Sequence, residues 1–201
     1  MDFLYFLENI RIPILDRIML FITQLGEETA FLVIALVLFW CIDKYKGYYI
    51  LAVGFIGTLL NQFMKLLFRI PRPWIIDENF TILEEAREAA SGYSFPSGHT
   101  QNAVGTFGGI AYIARNKWVR FLAVTVALLV PFSRMYIGVH TPMDVLVAAA
   151  ISVMLILVLK PVVMAGEKKY VPILLGIMSV MAVAFLMPDC RLSKSISSAK
   201  G

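Results

Sequence analysis

Apolar residues along this chain fall into blocks of about membrane-spanning length, set apart by short polar segments, and not into amphipathic stripes. An α-helix needs about 20 predominantly apolar residues to cross a bilayer core. Such blocks run from about Met19 to Ile42 and from about Tyr48 to Phe68, with the polar turn Asp43, Lys44, Tyr45, Lys46, Gly47 between them. Further blocks cover about Thr100–Ala114, Val119–Phe132, Met143–Leu159 and Val171–Met187. The pattern predicts an all-α integral membrane bundle of about six transmembrane helices, folded as a single domain over residues 1–188. Ahead of it, Met1 to Ile18 mixes Asp2, Glu8, Arg11, Asp16 and Arg17 with apolar residues, unlike the basic leader and unbroken apolar run of a cleaved signal. This segment is expected to form an amphipathic helix on the membrane surface.

The interval from Arg69 to Ser97 changes character. It holds Pro71, Pro73 and Pro96 and the acids Asp77, Glu78, Glu84, Glu85 and Glu88, so it has to lie outside the hydrocarbon. Thr81 followed by Glu84 has capping-box spacing and predicts a short surface helix over Ile82–Ala90. Residues 189–201 are polar and aperiodic, and a disordered tail is expected there.

Composition agrees with the pattern: 59% of the 201 residues are hydrophobic, against roughly 45–50% in soluble domains. The net charge of +4 does not call for nucleic acid, because most of the 18 Lys and Arg residues sit between apolar blocks, as in membrane-protein loops. Membrane lipids are the expected surroundings. Six spans place Lys44, Lys46, Arg115, Lys117, Arg120, Lys160, Lys168 and Lys169 in three short turns on one face, which the positive-inside tendency assigns to the cytoplasm. Both termini, the Arg69–Ser97 loop and a Phe132–Pro142 loop then face outward. Cys41 and Cys190, at the ends of different blocks with no Cys/His cluster, support neither a disulfide nor a metal site.

Three clusters stand at that outer edge: KLLFRIPRP (Lys65–Pro73), YSFPSGHT (Tyr93–Thr100) and SRMYIGVHTPMD (Ser133–Asp144), which together hold both histidines of the chain. Lys65 and Arg72 at the end of an apolar block suit snorkelling to the interface as well as they suit a site. Converging with Arg134, they would make an anion pocket, arginine offering a planar fork to phosphate oxygens. Ser97 before an apolar run reads as an ordinary helix N-cap. The same geometry presents amides and a positive dipole to an anion, with Gly98 allowing close approach and His99 able to donate a proton. Thr141, Pro142 and Asp144 likewise read as a helix start, while an aspartate four residues after His140 can also fix the ring's tautomer and leave its other nitrogen free to attack phosphorus. Gly105 and Gly109 read as close helix packing.

KxxxxxxRP (Lys65, Arg72, Pro73), PSGH (Pro96 to His99) and SRxxxxxHxxxD (Ser133, Arg134, His140, Asp144) together resemble, in order and spacing, the three-part signature of the PAP2 superfamily. That family also includes vanadium haloperoxidases and bacterial undecaprenyl pyrophosphate phosphatases. The resemblance implies a bacterial plasma-membrane lipid phosphatase with an outward site, acting on a phosphatidate, phosphatidylglycerophosphate or undecaprenyl pyrophosphate type of substrate without a cofactor or metal. It implies that His140 is the nucleophile, oriented by Asp144, and that His99 serves the leaving group. Lys65, Arg72, Ser97, Gly98 and Arg134 would then hold the phosphoryl group. Two alternatives share the pocket: a vanadate-dependent haloperoxidase and a non-catalytic lipid-phosphate binder or transporter.

Overall fold

The computed structural model describes residues 1–87, 90, 92–164 and 176. All regular structure among them is helical. Asp2–Asn9 forms α1 and Pro13–Gln24 forms α2. The single N-terminal helix expected over residues 1–18 is thus divided, because Ile12, preceding Pro13, is held extended at φ −138° and ψ 147°. A second break, at Leu25–Glu27, divides the first expected span between α2 and α3, Glu28–Val37. A π-helical turn, Leu38–Ile42, continues α3, and the two parts meet at 53°.

The polar turn expected at residues 43–47 is instead the first turn of α4, Lys44–Phe68. Asp43 caps it, its Oδ1 accepting from the amides of Tyr45 (2.9 Å) and Lys46 (3.4 Å). A short α5, Pro73–Ile76, follows. Of the helix expected over residues 82–90, the described residues show one 3₁₀ turn, Glu84–Ala86. Its capping residue is engaged elsewhere: the Thr81 hydroxyl and amide both donate to Glu8, and Arg11 Nη1 donates to the Thr81 carbonyl at 2.9 Å. The N-terminal segment therefore clamps this loop, with Leu4 packed on Phe80 and Ile82.

Next in the chain, α6 (Gly98–Ala103), a π-helical turn (Val104–Gly108) and α7 (Gly109–Ile113) run end to end. This central helix touches α3, α4, α8 and α9. The last two elements are α8, Lys117–Ile137, and α9, Pro142–Met164. Residues 133–137, expected in a loop, are the last turns of α8, which runs through Pro131 and stops at Gly138 in the left-handed conformation (φ 92°). No larger residue fits there, since a Cβ would lie 2.9 Å from Arg11 Nη2 and 3.0 Å from the Phe80 ring.

By length and composition, three helices among the described residues can cross a membrane, or four if the bent α2–α3 pair is one span. The sixth expected span (171–187, apart from residue 176), Cys190 and the expected tail lie outside the described residues. Residues on the outside of the bundle are apolar: Leu66 and Leu67 on α4, Phe121 and Leu128 on α8, Leu146 and Val158 on α9. That surface suits lipid and leaves little hydrophobic drive between helices, so close packing and interhelical hydrogen bonds have to hold them. Tyr49 Oη donates to the Ile156 carbonyl (2.8 Å) inside a core where Phe31, Tyr49, Ile50 and Val53 meet Leu155, Ile156 and Leu159. Gly105 and Gly109 do serve packing, lying against Val53 and Ile50 of α4.

Candidate active site

A cavity of about 490 Å³, within the range of small-molecule sites (roughly 300–1,000 Å³), opens where the ends of α4 and α8 meet the starts of α6 and α9. Lys65, Arg72, Gly98, His99, Arg134 and His140 all line it. The three sequence clusters, up to 79 positions apart from Lys65 to Asp144, thus converge on one space. Ser97 and Asp144, the other two expected site residues, are buried and are not part of the lining.

Local chemistry explains each position. Lys65 sits on the last turn of α4, whose end Arg69 turns left-handed (φ 49°), sending the chain back over the helix end. Arg72 then caps α5 with Pro73 at the first helical position. It is almost fully buried, its Nη1 donating to the Val139 carbonyl and to His140 Nε2 (both 3.0 Å), and its Nε donating to the Gly92 carbonyl (3.2 Å). Arg134, expected in a loop, lies on α8 and is 1% exposed. Its Nη1 donates to Thr23 Oγ1 at 2.8 Å, which ties α2 to the site.

His140 is buried, and its two ring nitrogens have different partners. An arginine can only donate, so Nε2 accepts from Arg72 and carries the lone pair. The ring proton is therefore on Nδ1, which faces Asp144 Oδ2 at 3.4 Å. Burial first, with the charges of Arg72 and Arg134 added, pushes the His140 pKa well below the usual imidazole range, against the opposing pull of Asp144. The ring is neutral.

The capping reading and the site reading of the α9 start hold together. Thr141 Oγ1 accepts from the Asp144 amide (3.3 Å), and Asp144 Oδ2 accepts from the Thr141 amide (2.8 Å), a reciprocal cap. Ser97 caps α6, its Oγ accepting from Thr100 N (3.4 Å), and its own amide donates to the Asp144 carbonyl (3.1 Å). One aspartate thus joins the second and third clusters.

Several lining or supporting residues carried no signal in the sequence. Ser94 Oγ donates to Asp144 Oδ2 at 2.5 Å, both groups buried, across 50 positions of chain. Gly26, Glu27 and Glu28, at the break between α2 and α3, form one side of the cavity. Gly26 is needed by contact: a Cβ there would lie 2.8 Å from the His99 carbonyl oxygen. Thr58, Asn61, Gln62, Gln101 and Asn102 also line the cavity and read from sequence as ordinary span residues. No group of three or more His, Cys, Asp or Glu side chains able to hold a metal occurs among the described residues.

Comparison with known proteins agrees with this geometry. The chain is 32% identical over 144 residues to undecaprenyl-diphosphatase BcrC of Bacillus subtilis, covering 71% of this chain and 72% of that protein. It is 31% identical over 164 residues to phosphatidylglycerophosphatase B of the same organism, covering 75% and 76%. Among solved structures, the first transmembrane PAP2 type phosphatidylglycerolphosphate phosphatase from Bacillus subtilis superposes with a TM-score of 0.69 at 28% identity, over 83% of this chain and 85% of that one. The family model described as PAP2 superfamily matches residues 45–167, which takes in all three clusters, and the chain belongs to that superfamily.

Proposed function

We propose that this chain is a membrane-embedded lipid phosphatase that hydrolyses a lipid phosphate or diphosphate through a phosphohistidine at His140. The observation that carries the reading is the His140 ring: neutral, buried, its Nδ1 toward Asp144 and its Nε2 lone pair held by Arg72 in a cavity also lined by Lys65, Arg134 and His99.

The steps follow from those positions. A phosphoryl group entering the cavity brings oxygens that compete for the Arg72 Nη1 proton, which frees the Nε2 lone pair. Lys65, Arg72 and Arg134 neutralise charge on the equatorial oxygens, with Ser97 and the Gly98 amide completing the cradle. Nε2 forms a bond to phosphorus while the bond from phosphorus to the lipid oxygen breaks. His99, which burial and then the charges of Arg134, Lys65 and Arg72 keep neutral until phosphate charge enters the cavity, takes up the proton that the incoming phosphate monoanion brings and passes it to that oxygen. Asp144 stabilises the positive charge that the His140 ring gains. His99, now neutral, accepts a proton from water as its oxygen attacks phosphorus, and the phosphorus–nitrogen bond breaks to return His140 and release inorganic phosphate.

The setting we propose for this chemistry is a six-span bundle, one domain over residues 1–188, with α1 as an amphipathic segment at the interface. The site faces outward from a bacterial plasma membrane. The named relatives support a lipid diphosphate or a phosphatidylglycerophosphate as the substrate class. Phosphate release by the detergent-purified chain against lipid mono- and diphosphates, with a chelator present, tests the reading. Release that persists in chelator and disappears in His140→Ala is the expected result. Near-normal turnover by His140→Ala overturns it.

A further inference from the structure

The cavity extends past the groups the proposed mechanism uses. Of its lining residues, Glu27, Glu28 and Tyr93 are exposed. Besides the cations and histidines, the lining includes neutral side chains: Thr58 and Asn61 from α4, Gln101 and Asn102 from α6. On α4, Asn61 and Thr58 lie four and seven residues before Lys65, which at 1.5 Å per residue puts them about 6 and 10 Å deeper into the bundle.

These amides are not explained by the packing around them. Asn61 is 2% and Gln101 1% exposed, yet Asn61 Nδ2 and both Gln101 side-chain atoms, Nε2 and Oε1, have no hydrogen-bond partner among the described residues. Burying such a group unpaired costs about 1–3 kcal/mol. Room has nevertheless been kept for them. A Cβ on Gly57 would lie 2.5 Å from Gln101 Nε2, so glycine is what admits that amide. A Cβ on Gly98 would lie 3.8 Å from Asn61 Oδ1, which places Asn61 beside the PSGH turn and the start of the helix that carries His99.

Resting on the phosphatase reading, we infer that Asn61 and Gln101 form a leaving-group subsite that binds the second phosphoryl group of a lipid diphosphate. A membrane lipid keeps its terminal phosphate at the interface, and the rest of the molecule lies inward of it. Inward of the cations and His140 are the two amides. The cavity is also lined by Glu27 and Glu28, which repel phosphate oxygens, whereas amide N–H groups donate to them without adding charge. When the bond between the two phosphorus centres' bridging oxygen and the attacked phosphorus breaks, His99 supplies a proton to that oxygen. The departing phosphate then carries a P–OH, and Gln101 Oε1 is an acceptor for it.

The test compares a prenyl monophosphate with the prenyl diphosphate of the same chain length, using detergent-purified full-length chain and reading kcat/KM by phosphate release. Asn61→Leu and Gln101→Met, near in size but without the donors, are expected to lower the diphosphate-to-monophosphate ratio about tenfold or more each, the loss of one buried hydrogen bond to a charged group. Asn61→Asp, which keeps the shape and places a charge against the leaving phosphate, carries the test if the apolar variants do not fold, as judged by thermal melting. It should lower the same ratio at least as far. A ratio that moves by less than threefold in folded variants overturns the subsite. Wild-type chain that releases phosphate from the monophosphate but not the diphosphate also overturns it, and leaves the phosphatase reading standing. Release from neither overturns both.

Discussion

At the scale of single residues, the proposed mechanism rests on the pair His140 and Asp144, and on the bonds around Asp144 that orient the ring. Replacing His140 by alanine removes the group that the proposed mechanism uses to form the covalent intermediate, and kcat should fall to background in a phosphate-release assay. Asp144→Asn keeps the shape but can turn an N–H toward the ring, favouring the wrong tautomer. A fall in kcat of about 10²–10⁴ is expected, the range seen when the orienting carboxylate of a histidine base is neutralised or a second partner is lost. Ser94 acts one step further out. Ser94→Ala leaves Asp144 Oδ2 with the Thr141 amide and the ring as partners, so kcat should drop about tenfold with KM little changed. An equal effect on both constants would mean that Ser94 shapes the cavity and does not orient the pair. His140 and Asp144 were legible because their spacing and their neighbours form a motif. Ser94 was not, since a lone serine in a proline- and glycine-bearing loop has the same local signature whether or not it meets a carboxylate 50 positions away.

At the scale of elements, what the sequence concealed were the helix breaks. The block Met19–Ile42 reads as one span because apolar content is continuous except for Gln24–Thr29, and nothing in that polarity says which way the chain bends. The bend at Leu25–Glu27 lets Gly26 lie against His99 and brings Thr23 to Arg134, so it is a wall of the site. Gly26→Val puts side-chain atoms within 2.8 Å of the His99 carbonyl and of Val130 Cγ1 unless the elements separate. Such overpacking typically costs about 1–3 kcal/mol. We expect a lower melting temperature in detergent together with a loss of kcat, and a variant that melts early but turns over normally would show that His99 tolerates the displacement. The end of α8 was concealed for a different reason. Pro131 and the charge on Arg134 suggest a stop, but the proline's missing donor is tolerated in a packed membrane helix, and Arg134 is buried with a partner on α2.

For the whole molecule, the order of apolar blocks was legible because lipid imposes the same demand on every span, and the exposed Leu66, Phe121, Leu146 and Val158 show that demand met. Sidedness rests on a different force, the distribution of cations over short turns. Lys44, Lys46, Arg115, Lys117 and Arg120 all fall at one set of helix ends, and the cavity with its clamped loop lies at the other. If the cation-rich ends face the cytoplasm, the loop carrying Asp77 to Leu83 meets external solvent. Cys41 is an exposed free thiol at the cation-rich end, so it serves as an internal control once Cys190 is replaced and a cysteine is introduced at Asn79. With Cys190→Ala in both chains, a membrane-impermeant maleimide applied to intact cells should label Asn79→Cys in a Cys41→Ala background and should leave Cys41 of the otherwise unmodified chain unlabelled until the membrane is opened. The reverse pattern would turn the cavity toward the cytoplasm. It would leave the chemistry at His140 intact, but it would require that the lipid phosphate be presented from the inner leaflet, so the labelling result decides which pool of substrate the enzyme can reach.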